Sequence, residues 1–239
     1  MTDLTLRLYE DRLLGGCPTI YLPHLPRAIY VRDGGVTAND DRGGRLVEAG
    51  QGHVHDGSLT LVAGVADTVL WRWELEESSR APSAGLPSAP ATTSRLLLEH
   101  EVSLDRRFDW LMRCDRVDFP PGGVALTHVH QGPGIRVLHH GQIAIETLGE
   151  RHVYNAGEAW FEPGHAPVLA PTTEQERTAF IRCFLLPRQL KGVSSIRYVR
   201  PEDARAPKVQ EYRVFSERFI ALPAQTAVTM SETGQFCPR

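Results

Sequence analysis

Long apolar runs are missing from this chain of 239 residues, and none approaches the roughly 18 residues that a bilayer-spanning helix needs. A membrane-embedded helical protein is therefore not expected. Cysteine is scarce and scattered: Cys17, Cys114, Cys183 and Cys237 lie too far apart for a C-x-x-C zinc or redox pair, and four in this length make no disulfide scaffold. Reduced thiols are expected. A basic surplus is also absent, since the net charge is −3, and this argues against a nucleic-acid partner. The opening MTDLTLRLYEDRLL carries acids where a secretory leader is basic and then apolar, which predicts a cytoplasmic protein. Helical signals are few; one short helix within residues 1–14 is expected.

Short runs of Val, Ile, Leu, Trp and Phe, punctuated by 21 Gly and 17 Pro, predict a many-stranded, all-β chain. Strands are expected over residues 28–32, 59–63, 68–75, 110–119, 124–130, 135–139, 142–147, 159–162 and 179–186. Between them EESSRAPSAGLPSAPATTSR, residues 76–95, is too poor in apolar side chains to order itself and reads as a linker or mobile loop. A weak repeat flanks it. Asp33-Gly34 before Gly35-Val36-Thr37 parallels His140-Gly141 before Gln142-Ile143-Ala144, and VLWRWEL at 69–75 parallels AFIRCFL at 179–185 with Arg72 and Arg182 in register. The expected division is an N-terminal unit over 1–75, a linker over 76–96, a C-terminal unit over 97–190 and an extension over 191–239 packing on the outside.

Ten histidines stand against the four cysteines, and FPPGGVALTHVHQGPGIRVLHHG, residues 119–141, carries the most chemistry. Residues two apart on a strand share a face, so His128 and His130 project together. Two imidazoles can hold one transition metal, such as Fe(II), Mn(II), Ni(II) or Zn(II), with a third ligand from elsewhere in the fold. The other reading is a metal-free site whose histidines hydrogen-bond a ligand or each other.

This segment resembles the first motif of the cupins, G-x5-H-x-H-x3or4-E-x6-G, with Gly122, His128, His130 and Gly141 in place and Gly134 where the family has its glutamate ligand. The second motif, G-x5-P-x-G-x2-H, is half present: Gly157, then EAWFE, then Pro163-Gly164, with Pro167 and Val168 near the place of the last histidine. The resemblance implies double-stranded β-helix (jelly roll) barrels, two in tandem, the N-terminal one having lost its H-x-H. It implies His128 and His130 as metal ligands, with His165 or Glu162 as alternative third ligands, the latter giving a two-His-one-carboxylate set. The expected function is a mononuclear non-haem Fe(II) dioxygenase of a small acidic or aromatic compound. The alternatives are a metal-dependent isomerase or lyase of a small carboxylate and a non-catalytic small-molecule-binding cupin. A homodimer is a further expectation from the family.

Arg136 lies two residues beyond position 134, so alternation aims it at the same face. Its planar fork suits a substrate carboxylate or enolate, or else pairs with Glu146 or Glu162. Arg182 carries a weaker version of the same reading. Trp160 and Phe161 face opposite sides of one strand, so one lines the lumen and the other packs between units; Trp71 and Trp73 read as core or inter-unit packing. His53 and His55 are expected in a surface loop, His139 and His140 at a strand end, and His24 as a relic. Residues 200–222 read as further strand pieces in which Lys208, Gln210 and Tyr212 are scaffold. No G-x-S-x-G, Walker loop, G-x-G-x-x-G or H-E-x-x-H is present.

Overall fold

Alternation of apolar and polar residues sets the first element. In LTLRLYEDRL, Leu4, Leu6 and Leu8 recur every second residue, a spacing that puts them on one face of a strand but scatters them around a helix. The segment accordingly forms β1 (Leu4–Leu13), not the short helix expected there. It is followed by β2 (Ile20–Asp33), β3 (Gly35–Asp40), β4 (Gly43–Glu48), β5 (Gly52–Ala63), β6 (Thr68–Glu77) and β7 (Thr92–Val102). These make one antiparallel seven-stranded sheet in the order β4-β3-β5-β2-β6-β1-β7. The computed structural model describes residues 4–82, 86 and 91–224. Residues 83–85 and 87–90 of the Ser/Ala/Pro-rich stretch, and the tail from 225 with Cys237, lie outside the described residues. Because β7 pairs along β1, that stretch joins two strands of one sheet, and the N-terminal sheet runs past the expected boundary at 96–97 to Val102.

The second half contains β8 (Trp110–Phe119), β9 (Val124–His130), β10 (Gly134–His140), β11 (Gln142–Thr147), β12 (Glu150–Asn155), β13 (Ala159–Glu162), β14 (Val168–Pro171) and β15 (Thr178–Pro187). Then come β16 (Ile196–Tyr198), α1 (Pro201–Arg205) and β17 (Glu211–Ile220). Two five-stranded antiparallel sheets result, β13-β10-β15-β8-β17 and β12-β11-β14-β9-β16. The nearly all-β architecture is that of jelly-roll barrels. No helix among the described residues is long and apolar enough to cross a membrane.

One face of each half is sealed against the other. Leu4, Leu6, Leu8, Trp71 and Trp73 from β1 and β6 share a core with Met112, Cys114, Ile135, Val137, Ile181 and Cys183 from β8, β10 and β15. The opposite face of β1 and β6 looks into the N-terminal half and is charged. Arg72 Nε stands 2.6 Å from Asp11 Oδ2, its Nη1 2.5 Å from Glu74 Oε2, and Arg27 Nε 3.0 Å from Glu74 Oε1. Burial alone would raise the Glu74 carboxyl; the Arg72 and Arg27 charges outweigh it and hold it below the usual carboxylate range.

The two halves build one turn in the same way. Gly34 and Gly141 both have positive φ, +78° and +80°, and a Cβ on either would collide with the threonine that opens a later strand, Thr68 on β6 or Thr178 on β15. Each threonine hydroxyl then hydrogen-bonds the backbone of the residue after the glycine, Gly35 or Gln142.

His53 and His55 lie on β5, not in a surface loop, and His55 is buried with Nε2 3.0 Å from the Ser58 carbonyl. On β10, His139 meets Tyr30 and Trp71 edge-on at 5.8 and 5.9 Å. Burial, then the positive Arg116, pushes the His139 imidazole down to about 4, and burial with Arg45 does the same to His53. Both are therefore neutral in the fold where the unfolded chain, with a value near 6.5, takes up protons. Stability is full above pH 6.5 and falls as pH drops toward 4. Denaturant midpoints measured between pH 7.5 and 4.5 should show this decline, and His139→Phe should flatten it.

Candidate metal centre

The cavity of the C-terminal half lies between its two sheets, has a volume of about 300 Å3, and takes apolar lining from both, Val117, Phe119 and Phe180 from one and Ile145 and Val168 from the other. Its polar end begins on β9. The ladder between β9 and β14 shifts register between Ala125 and His128, so that Ala125, His128 and His130 all line the cavity although simple alternation would separate them. His128 and His130 are 6% and 5% exposed, with ring centroids 4.8 Å apart.

Hydrogen bonds fix the rings. His128 Nδ1 is 2.7 Å from the Leu126 carbonyl, which only accepts, so Nδ1 carries the proton and Nε2 keeps its lone pair. His130 Nδ1 is 3.2 Å from the hydroxyl of the buried Ser195. Burial first, then the Arg182 and Arg136 charges, holds His130 well below 6.5; burial also lowers His128, against the opposing pull of Glu162. Both are neutral at pH 7, the form that ligates metals.

Val168 pairs with His128 across the ladder and faces the cavity, so the place near the expected last histidine is apolar. His165 is exposed and does not line the cavity. At position 134, the Cβ of any larger residue would overlap the Cys183 carbonyl oxygen and come within 3.0 Å of Phe184. Glycine is required there, and a glutamate is sterically excluded. Its cross-strand partner is Glu162 on β13, so a carboxylate enters the cavity from the next strand. Glu162 Oε2 is 2.7 Å from Arg136 Nη2 and 4.0 Å from His130 Nε2, and Oε1 accepts from Trp160 Nε1 at 2.9 Å.

Arg136 therefore faces the cavity but is committed to Glu162. It is 1% exposed; burial pulls its guanidinium down to about 10, which Glu162 limits and Arg182 assists. Arg182 likewise lines the cavity and pairs with Asp115 at 2.5 Å, just as Arg72 pairs with Asp11. The guanidinium groups of Arg136 and Arg182 both lie over Phe184, at 4.7 and 4.5 Å. Trp160 lines the cavity while Phe161 packs against the central core.

The extension contributes more than scaffold. β16 pairs beside the histidines, Ile196 opposite His130 and Tyr198 opposite His128, and Lys208, Gln210 and Tyr212 also line the cavity. No motif marks these residues; the pairing of β16 with β9 and of β17 with β8 brings them in. The site thus offers two imidazole nitrogens and one nearby carboxylate, although among the described residues no three His, Cys, Asp or Glu side chains are gathered closely enough to enclose a metal ion.

Removing the Glu162 charge strands a buried guanidinium. Glu162→Gln should cost about 3–5 kcal/mol of stability by urea denaturation, whereas Glu146→Gln, half-buried on β11, should cost under about 1 kcal/mol.

No protein-family profile and no curated protein matches the chain. Among solved structures it resembles AerE from Microcystis aeruginosa, with a TM-score of 0.54 and 15% identity over 77% of this chain and 88% of that one. A variant of the oxalate decarboxylase from B. subtilis gives 0.53 and 13%, over 74% and 68%. A variant of the salicylate 1,2-dioxygenase from Pseudoaminobacter salicylatoxidans gives 0.51 and 11%, over 82% and 75%. At these identities the likeness speaks for the fold alone, a jelly roll of antiparallel sheets.

Proposed function

We propose that the C-terminal cavity is a metal centre in which His128 and His130 hold a divalent transition metal through Nε2, with Glu162 as the carboxylate donor. The observation that carries this reading is the pair of neutral, buried imidazoles: the Leu126 carbonyl takes the Nδ1 proton of His128 and leaves its Nε2 lone pair for a ligand, and the Ser195 hydroxyl at His130 Nδ1 is able to accept the same proton there. Imidazole and carboxylate together suit Fe(II), the preferred metal here, and also Mn, Ni or Zn. A metal so held supplies Lewis-acid activation and open coordination positions. The chain's own groups do the rest. Arg136 and Trp160 orient Glu162; Arg182 and Asp115 neutralise each other beside it; Val117, Phe119, Val168 and Phe180 keep water from the apolar side.

A cavity of about 300 Å3 with an apolar wall and a polar end fits one small aromatic or acidic molecule. We take the reaction to be oxidation of such a compound by O2, the class of activity for which the salicylate 1,2-dioxygenase, a neighbour in fold, is named. Glu162, already paired with Arg136, favours a second reading, a metal-free cavity that binds a small molecule without turnover. Supporting a tandem-barrel origin are the matched Gly34/Thr68 and Gly141/Thr178 turns and the matched Arg72–Asp11 and Arg182–Asp115 pairs.

Untagged protein loaded with Fe(II), Mn(II) or Zn(II) and desalted should retain close to one metal per chain by elemental analysis. His128→Ala or His130→Ala should lower affinity at least about tenfold. Retention well below one metal, unchanged in both variants, would leave the metal-free reading.

A further inference from the structure

Four cationic side chains line the cavity, and three are already neutralised. Arg113 Nη2 lies 2.7 Å from Glu217 Oε2, Arg136 2.7 Å from Glu162 and Arg182 2.5 Å from Asp115. Lys208 is the fourth. Among the described residues it has no carboxylate partner: its Nζ donates to the backbone carbonyl of Asp203 and sits 3.8 Å over the Tyr198 ring. That ring is 6.3 Å from His128 and is held at its hydroxyl by Gln210, whose Nε2 donates to Tyr198 Oη at 3.3 Å. The ammonium is thus fixed over an aromatic ring that itself adjoins the imidazole pair, with donor capacity left over.

We infer that Lys208 is the anion-recognising residue of this cavity, and that the ligand is a small monocarboxylate whose apolar body lies along Phe119, Val168 and Phe180. The inference rests on the reading of the cavity as a ligand site and moves anion recognition from Arg136, spent on Glu162, to the mouth. Paired guanidinium groups have little charge left to offer an incoming anion, whereas one uncompensated ammonium does. Lys208 is exposed, so its pull is moderate and falls with salt. The same position lets it draw anions to the mouth before they enter.

The sequence supplies a direct probe, because of 26 basic residues only Lys191 and Lys208 are lysines. Lys191 lies over Phe219, away from the cavity, and serves as internal control. Reductive methylation of the full-length protein, read by peptide mass spectrometry, would be run with benzoate, salicylate, cinnamate and hexanoate, each against its neutral amide. At least one carboxylate should slow methylation of Lys208 about fivefold, an effect of the size of one exposed charge pair. Its amide should not, Lys191 should be unaffected, and 0.5 M NaCl should shrink the protection. Lys208→Met should weaken that carboxylate about fivefold by calorimetry without changing retained metal. Protection by none of the carboxylates, equal protection by the amides, or equal protection of Lys191 overturns the inference. Loss of the metal reading in the histidine variants, with Lys208 protection intact, would leave the anion site standing alone.

Discussion

A guanidinium that is 1% exposed stays charged and in place only beside a carboxylate, and Arg136 has one in Glu162 at 2.7 Å. Much of the cavity follows from that pairing. It fixes Glu162 next to His130, it removes Arg136 from the groups free to meet an incoming anion, and it places a positive group where a metal's charge must be tolerated. Phe184 lies under both Arg136 and Arg182, so the two like charges sit over one ring, each with its own acid. Burying such pairs is costly unless the geometry is good; once built, they resist loss of either partner.

The same device fills the other half of the molecule. There Arg72 answers Asp11 and Glu74, and Arg27 answers Glu74, all buried. An interior occupied by matched ions holds itself together without a ligand. In the C-terminal half, Lys208 at the mouth, which has no acid partner among the described residues, and the two imidazoles leave bonding capacity that a ligand can use. The contrast between the two interiors is a difference in how completely their charges are satisfied.

Much of the strand pattern was legible in the sequence, because period-two alternation and Gly or Pro turns act locally. The H-x-H spacing likewise placed His128 and His130 on one cavity wall. Local rules failed where tertiary pairing decides. The first residues hold acids and leucines that suit a helix in isolation, yet Leu4, Leu6 and Leu8 find a core only as a strand. His53 and His55 sit in a Gly-flanked segment that reads as a loop until β2 pairs with it. Gly134 is dictated by the approach of the Cys183 carbonyl, a contact 49 residues away that no motif encodes. Lys208 reaches the cavity because β16 adds to β9, bringing Tyr198 beneath it, and β17 adds to β8 just beyond it.

The central claim is that His128 and His130 share one metal ion inside this cavity. Crystals grown with Mn(II) or Co(II) and measured at the metal's absorption edge test it most directly. One anomalous peak is expected within bonding distance, about 2.0–2.2 Å, of both Nε2 atoms. No peak there, or a peak elsewhere such as at the exposed His165, would contradict it.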